Sequence, residues 1–222
     1  LPVSAEYMHS GCYDISKKFG KDTLILINKL GTDRLPRFFS IKSWLDARLN
    51  NSKWFPGNFS DKVMQLIGAV WRNVLPKKME DFRSRFDHHL ILKMRDDGID
   101  EARRYIKDNF DGVNADCFEC STREAEIASL HRFVAAGAAV RYMAINKDSV
   151  ADIIALDIAL RRNDQNWFER LPDNIDEAIS HKLYYGHFFC HVFHQDYIVK
   201  KGYDPEKIKE QLLHFIECRG AK

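Results

Sequence analysis

The spacing of apolar residues divides the chain into two textures. From residue 11 to 85, short segments are punctuated by Gly31, Pro36, Pro56-Gly57, Gly68 and Pro76. Within them a helix is predicted from Ser60 or Asp61 to Val74, because Val63, Leu66, Ile67, Val70 and Trp71 recur at helical spacing. From residue 87 the pattern changes. His88 to Met94 reads as a strand, Ile99 to Phe110 as a helix with Ala102, Ile106 and Phe110 on one face, and Ala115 to Cys120 as a second strand, together a β-α-β unit. Glu124 to Lys147 carries the small-residue run Ala135-Ala136-Gly137-Ala138-Ala139, which suits close helix packing. Asp148 is read as the cap of an amphipathic helix with Val150, Ile153, Ile154 and Ile158 on one face. Lys182 to Tyr197, dense in aromatic and β-branched residues, predicts a long strand or a hairpin. Asp204-Pro205 opens a last helix reaching about Cys218, with Ile208, Leu212, Phe215 and Ile216 inward. The order of elements predicts an α+β fold, an antiparallel-type sheet with helices on one face, plus a mainly helical basic insertion.

Composition narrows the class. With 222 residues, 45% hydrophobic, 12% aromatic and a net charge of +2, the chain has the apolar surface for one or two folded domains. The most apolar stretch, Leu130 to Ile145, is interrupted by His131, Arg132 and Arg141, so it does not read as a membrane span. The first residues show neither the basic start nor the apolar run of a signal peptide, and the chain does not begin with Met, so a mature piece or a fragment is expected. Five scattered cysteines predict reduced thiols and a reducing compartment, and the single Cys117-x-x-Cys120 is read as buried, inert thiols in preference to a zinc site.

Charge is concentrated. Residues 11 to 85 hold fifteen Lys/Arg against seven Asp/Glu, although the whole chain is only +2. Trp44, Trp54 and Trp71 lie in this stretch with Phe38, Phe39, Phe55, Phe59 and Phe82. Cations beside amphipathic rings describe a membrane-surface module, or a track for single-stranded nucleic acid, or a helical layer with solvated cations outside and aromatics in its core.

The densest chemistry is Gly186-His187-Phe188-Phe189-Cys190-His191-Val192-Phe193-His194. His187 and His194 are seven residues apart, so on an uninterrupted strand they face opposite sides and converge only across a bulge or hairpin turn. Convergent imidazoles would suit a divalent metal or a general base; otherwise they are hydrogen-bonded structural residues. His181, His191 and the His88-His89 pair read as surface or packing residues.

Several stretches carry a specific resemblance: Ala5-Glu6-Tyr7-Met8-His9, Lys29-Leu30-Gly31-Thr32-Asp33, His88-His89-Leu90, Leu130-His131-Arg132-Phe133, Ala155-Leu156-Asp157-Ile158-Ala159-Leu160-Arg161-Arg162-Asn163-Asp164 and His181-Lys182-Leu183-Tyr184-Tyr185-Gly186-His187 with Phe193-His194-Gln195-Asp196-Tyr197. Over nearly its whole length the chain resembles the bacterial respiratory, quinone-dependent D-lactate dehydrogenases. The resemblance implies a peripheral flavoprotein on the cytoplasmic face of the bacterial inner membrane, oxidising D-lactate to pyruvate and passing electrons through FAD to quinone. It implies that residues 1–10, 86–123 and 148–222 form the substrate-side cap, and 11–85 with 124–147 the membrane-binding insertion. No glycine-rich pyrophosphate loop is visible, so FAD is expected on a domain absent from this chain and the chain alone is expected to be inactive. Gly186, His187 and His194 match the first, second and last positions of the Gly-His-x-Gly-Asp-Gly-Asn-x-His motif of the wider family of FAD-linked 2-hydroxy acid dehydrogenases. Phe189, Cys190, His191 and Val192 replace its core, and no metal is assigned. By this resemblance His187 and His194 are the catalytic candidates. Cationic side chains suit a substrate carboxylate, so Arg132 or Arg141 is the candidate clamp, or else a surface or phosphate contact in the helical insertion, and Lys53, Trp54, Arg72, Lys77 and Lys78 are the candidate contacts to an anionic lipid surface. Nucleic acid is not an expected partner on this reading; a standalone anionic-polymer or nucleic-acid module without catalysis is the alternative.

Overall fold

A computed structural model describes residues 2–50, 58–71, 74–110, 114–161, 163–164, 169–190 and 192–221. Its frame is a five-stranded sheet in which every neighbouring pair runs antiparallel. The chain enters through β1 (Pro2–His9) and passes through five helices, α1 (Ser10–Phe19), α2 (Lys21–Leu30), α3 (Leu35–Asn50), α4 (Phe59–Val70) and α5 (Lys77–Arg85). It returns as β2 (His88–Met94), then forms α6 (Gly98–Phe110) and the long α7 (Thr122–Ile145). The remainder is β3 (Val150–Ala159), the short α8 (Asp173–Asp176), β4 (Ile179–His187), β5 (Val192–Lys200) and α9 (Pro205–Cys218). Strand order is β2-β1-β4-β5-β3.

Period-two alternation distributes the strand side chains over two cores. Met8, Leu183, Tyr185 and Ile198 pack on one face with Cys12, Ile15 and Phe19 of α1 and Ala135, Ala138 and Ala139 of α7. Tyr7, Tyr184, Tyr197 and Val199 pack on the other with Ile175 of α8 and Ile208 and Leu212 of α9. The antiparallel α+β class is as expected, with a second helical layer covering the opposite face. α1 and α7, which the sequence division assigns to the basic insertion, share one core with the strands.

Local signals explain the helix ends. Ser121 and Glu124 form a reciprocal capping box at α7, and the small residues of that helix let α1 approach closely. Asp204 accepts from the Glu206 amide with Pro205 in the first turn of α9.

Three expectations are corrected. Cys117 and Cys120 are exposed, not buried. Residues 150 to 159 are a strand, not a helix. Val150, Ile154 and Ile158 are the buried positions, and a spacing of four falls on one face of a strand as well as of a helix. The β-branched side chains and the long ladder with β5 decide for the sheet. Ala115 to Cys120 joins no ladder, so the β-α-β unit is not formed. The segment is held instead by side chains, with the Phe118 ring 4.9 Å from Phe82 and 4.5 Å from Lys78 Nζ. Lys182 to Tyr197 takes the hairpin alternative, β4 and β5 joined through a short 3₁₀ turn at Phe188–Cys190.

The hairpin requires glycine at position 186. A Cβ there would lie 2.6 Å from the Val192 carbonyl oxygen, closer than atoms pack. Gly186→Ala is expected to destabilise the chain by about 1–3 kcal/mol, the usual cost of overpacking, measured by urea unfolding; an unchanged midpoint would show that the strands separate freely.

Two histidines are packed as neutral rings. His89 lies against Tyr13 with ring centroids 5.1 Å apart, and burial pushes its pKa down to about 4 despite a backbone hydrogen bond that favours the charged form. His131 is fully buried, with Nδ1 donating to the Ile127 carbonyl at 2.8 Å, and burial lowers it too. In the unfolded chain both titrate near 6.5, so between about pH 6.5 and 4 the unfolded state binds more protons and stability falls as pH falls. Urea midpoints recorded from pH 7.5 to 4.5 are expected to decline through that window, and less steeply in His89→Phe.

Candidate functional site

The β4–β5 turn brings the two candidate histidines together. His187 pairs with Val192 and His194 with Tyr185, so the two imidazoles sit diagonally on the same face. Their ring centroids are 6.0 Å apart at an interplanar angle of 80°. The flanking strands then add carboxylates at the directly opposite positions: Glu6 on β1 faces His187, and Asp157 on β3 faces His194. His187 Nδ1 lies 3.0 Å from Glu6 Oε1, and His194 Nδ1 lies 2.5 Å from Asp157 Oδ1. Arg132 reaches down from α7, its Nε 3.2 Å from Glu6 Oε2. The Tyr185 ring stands 5.2 Å from His194, and its hydroxyl donates to Asp196 at 2.9 Å. Burial raises the pKa of both Tyr185 and Asp196.

Five elements thus bring together two imidazoles, two carboxylates and a guanidinium. An imidazole with a carboxylate at Nδ1 keeps its other nitrogen for proton transfer, and an arginine matches a substrate carboxylate. Glu6 and Asp157 belong to stretches that carry the resemblance, but sequence reasoning gave neither a role. Their signal is positional, an acidic residue opposite each histidine, and it exists only once the register is known.

Arg141 is placed elsewhere. Its side chain is only 6% exposed, with Nη1 2.7 Å from Asp22 of α2 and Nε 3.2 Å from Asp61 of α4. Asp61 also pairs with Lys42 of α3 at 3.1 Å, and Lys42 with Asp46 at 2.8 Å. This guanidinium is committed to carboxylates on α2 and α4.

The ion-pair network lies on the inner side of an α3–α4 hairpin whose outer side is apolar. Gly68 is the buried residue of α4, while Val70 is 90% exposed and Leu66 68%. Ile67 and Trp71 are exposed beside them, as are Phe39, Ile41, Trp44 and Leu45 of α3. Cations flank the tryptophans: Lys29 Nζ lies 4.8 Å from the Trp71 ring centre and the Arg48 guanidinium 4.5 Å from Trp44. Among the described residues no helix is long and apolar enough to cross a membrane. Lys77 and Lys78 are exposed in the first turn of α5, with Lys78 Nζ 3.4 Å from the Glu119 carbonyl. Lys53, Trp54, Arg72 and His191 lie outside the described residues. On the opposite face of the sheet, a cavity of about 250 Å³ between β3, β5 and α9 is lined by Arg161, Glu169, Gln195 and Arg219 among others.

The chain is 52% identical over its full length to the quinone-dependent D-lactate dehydrogenase of Escherichia coli, covering 39% of that protein. It is 50% identical to the Haemophilus influenzae enzyme of the same name and 40% identical to that of Corynebacterium glutamicum, covering 40% and 39% of them. The chain therefore spans about two fifths of the length of the curated relatives it matches. A family model described as D-lactate dehydrogenase, membrane binding, matches residues 1–222, and the chain belongs to that family.

Proposed function

We propose that this chain is the lipid-docking and substrate-side part of a quinone-dependent D-lactate dehydrogenase, which oxidises D-lactate to pyruvate at the cytoplasmic face of the bacterial inner membrane. The α3–α4 hairpin carries the docking reading. It buries its ion pairs and exposes its hydrophobic residues, the inverse of a helix pair that faces water on its outer side. Exposed tryptophans under cations suit a headgroup boundary, and the aliphatic Ile41, Leu66 and Val70 suit the acyl layer below it. Those aliphatic residues offer bases neither stacking nor hydrogen bonds, which favours lipid over nucleic acid. The local excess of positive charge favours anionic headgroups. The lipid-side part comprises residues 11–85 and 124–147, and the substrate side 1–10, 86–123 and 148–222, with Arg132 of the former reaching across to the latter.

At the substrate side, one of His187 and His194 accepts the hydroxyl proton of D-lactate, and the terminal nitrogens of Arg132 hold the carboxylate. The redox group that the reaction needs is FAD, carried outside this chain. The 250 Å³ cavity is too small for a dinucleotide, since even drug-sized ligands occupy pockets of roughly 300–1,000 Å³.

Two measurements test the reading. The chain is expected to cosediment with phosphatidylglycerol-rich vesicles and far less with phosphatidylcholine vesicles. Leu66→Ser with Val70→Ser should reduce binding about tenfold or more, because each lost apolar side chain is worth about 1.5–3 kcal/mol of burial. Lys77→Glu with Lys78→Glu should weaken it further. Equal binding to both vesicle types would refute electrostatic docking. In the longer enzyme, His187→Ala and His194→Ala are expected to lower D-lactate oxidation with an artificial acceptor roughly a hundredfold, the usual size of a general-base contribution, with flavin content and vesicle binding intact. Near-normal rates in both would return the histidines to a structural role.

A further inference from the structure

We propose that Glu6 and Asp157 are positioning residues that fix His187 and His194 in one tautomer, Nδ1 protonated, and so leave each Nε2 unprotonated and able to accept the substrate's hydroxyl proton. The proposal rests on the reading of this cluster as the D-lactate site.

An ionised carboxylate has acceptors only, so in each contact the imidazole Nδ1 is the donor: to Glu6 Oε1 at 3.0 Å from His187, and to Asp157 Oδ1 at 2.5 Å from His194. A neutral histidine in water prefers its proton on Nε2. The carboxylates reverse that preference and leave the Nε2 lone pairs for chemistry. Had one imidazole kept Nε2–H, it could donate to substrate but not remove a proton from it.

These contacts are built into the sheet. Each carboxylate stands directly across a ladder from its histidine, so backbone hydrogen bonds set both distances before any side chain chooses a rotamer. Glu6 is held from a second side by Arg132, and its side chain is only 17% exposed. Tyr185 packs on the His194 ring and limits its rotation. Four strand positions and one helix position therefore hold two rings with centroids 6.0 Å apart. One Nε2 takes the hydroxyl proton of the substrate, and the arginine that anchors Glu6 attracts its carboxylate.

The two dyads differ in setting. The Asp157 side chain is 73% exposed, whereas Glu6 is enclosed between a strand and α7. Removal of Glu6 also releases Arg132, so Glu6→Ala is expected to raise KM for D-lactate as well as lower kcat. Asp157→Ala should act chiefly on kcat.

Tautomers are read directly by long-range ¹H–¹⁵N correlation spectra of the ¹⁵N-labelled 222-residue chain at pH 8, with His187→Ala and His194→Ala to assign the resonances. Both histidines are expected to show a protonated Nδ1 and an unprotonated Nε2. Asp157→Ala should return His194 alone to the Nε2–H form, and Glu6→Ala should return His187 alone. Glu6→Gln should retain Nδ1–H, because its amide carbonyl still accepts. A wild-type chain with Nε2–H at either histidine overturns the proposal without any variant, as do tautomers unchanged in both alanine variants. In the longer enzyme Asp157→Ala should lower kcat about tenfold to a hundredfold, the range typical of lost outer-shell partners, with Asp157→Asn intermediate. Spectra as expected beside near-normal oxidation by His187→Ala and His194→Ala would instead refute the site reading on which the proposal rests, so the two failures are separable.

Discussion

The arrangement of the helical half depends on one buried guanidinium. Arg141 is withdrawn from water on α7, and a charge so placed is tolerated only when its hydrogen bonds and countercharge are met. Asp22 and Asp61 supply the countercharge from two other helices, Asp22 accepting a hydrogen bond from Nη1, and Lys42 continues the chain of charges into a fourth. The network specifies which sides of α3 and α4 turn inward. With their polar sides committed, Leu66, Val70, Trp71, Ile41 and Trp44 face outward whatever their hydrophobicity would prefer in water. Losing one partner of such a pair typically costs about 3–5 kcal/mol, because the remaining charge stays buried. The apolar outer surface is therefore enforced from inside.

The sheet imposes a comparable order on the other half. Register in an antiparallel ladder leaves no freedom of one residue, since a slip would turn every side chain to the opposite face. Here Tyr7 and Met8 already belong to different cores, as do Tyr184 and Tyr185, so both faces of the central strands resist slipping. The same register sets Glu6 against His187 and Asp157 against His194. Gly186 completes the arrangement by letting β4 and β5 close where any side chain would strike the Val192 carbonyl. The apolar cores that stabilise the sheet thus also position its polar cluster.

Much of this organisation is legible in the residues. The last helix, with its Asp204 cap, Pro205 and inward Ile208, Leu212 and Ile216, reads correctly because local capping and periodicity agree with the tertiary packing. The small-residue run of α7 predicts close packing, and Ala135, Ala138 and Ala139 are all buried. β3 does not read correctly, because buried residues four apart satisfy two periods at once and only the ladder with β5 distinguishes them. The segment 115–120 has strand-like composition and no strand partner. Pairing is a long-range event that composition does not report.

The sequence alone determined the α+β class, the concentration of cations and tryptophans between residues 11 and 85, and the family likeness, and it singled out His187 and His194 as candidates. Those properties reside in residue identity and short-range spacing. Tertiary structure decided the rest: that the histidines meet, that Glu6, Asp157 and Arg132 join them, that Arg141 is an anchor within the helical half, and that the apolar side of α4 faces outward. Periodicity states which residues share a face. Which way that face turns depends on partners up to 181 residues away along the chain, as Glu6 is from His187, and only the folded backbone brings them within hydrogen-bonding distance.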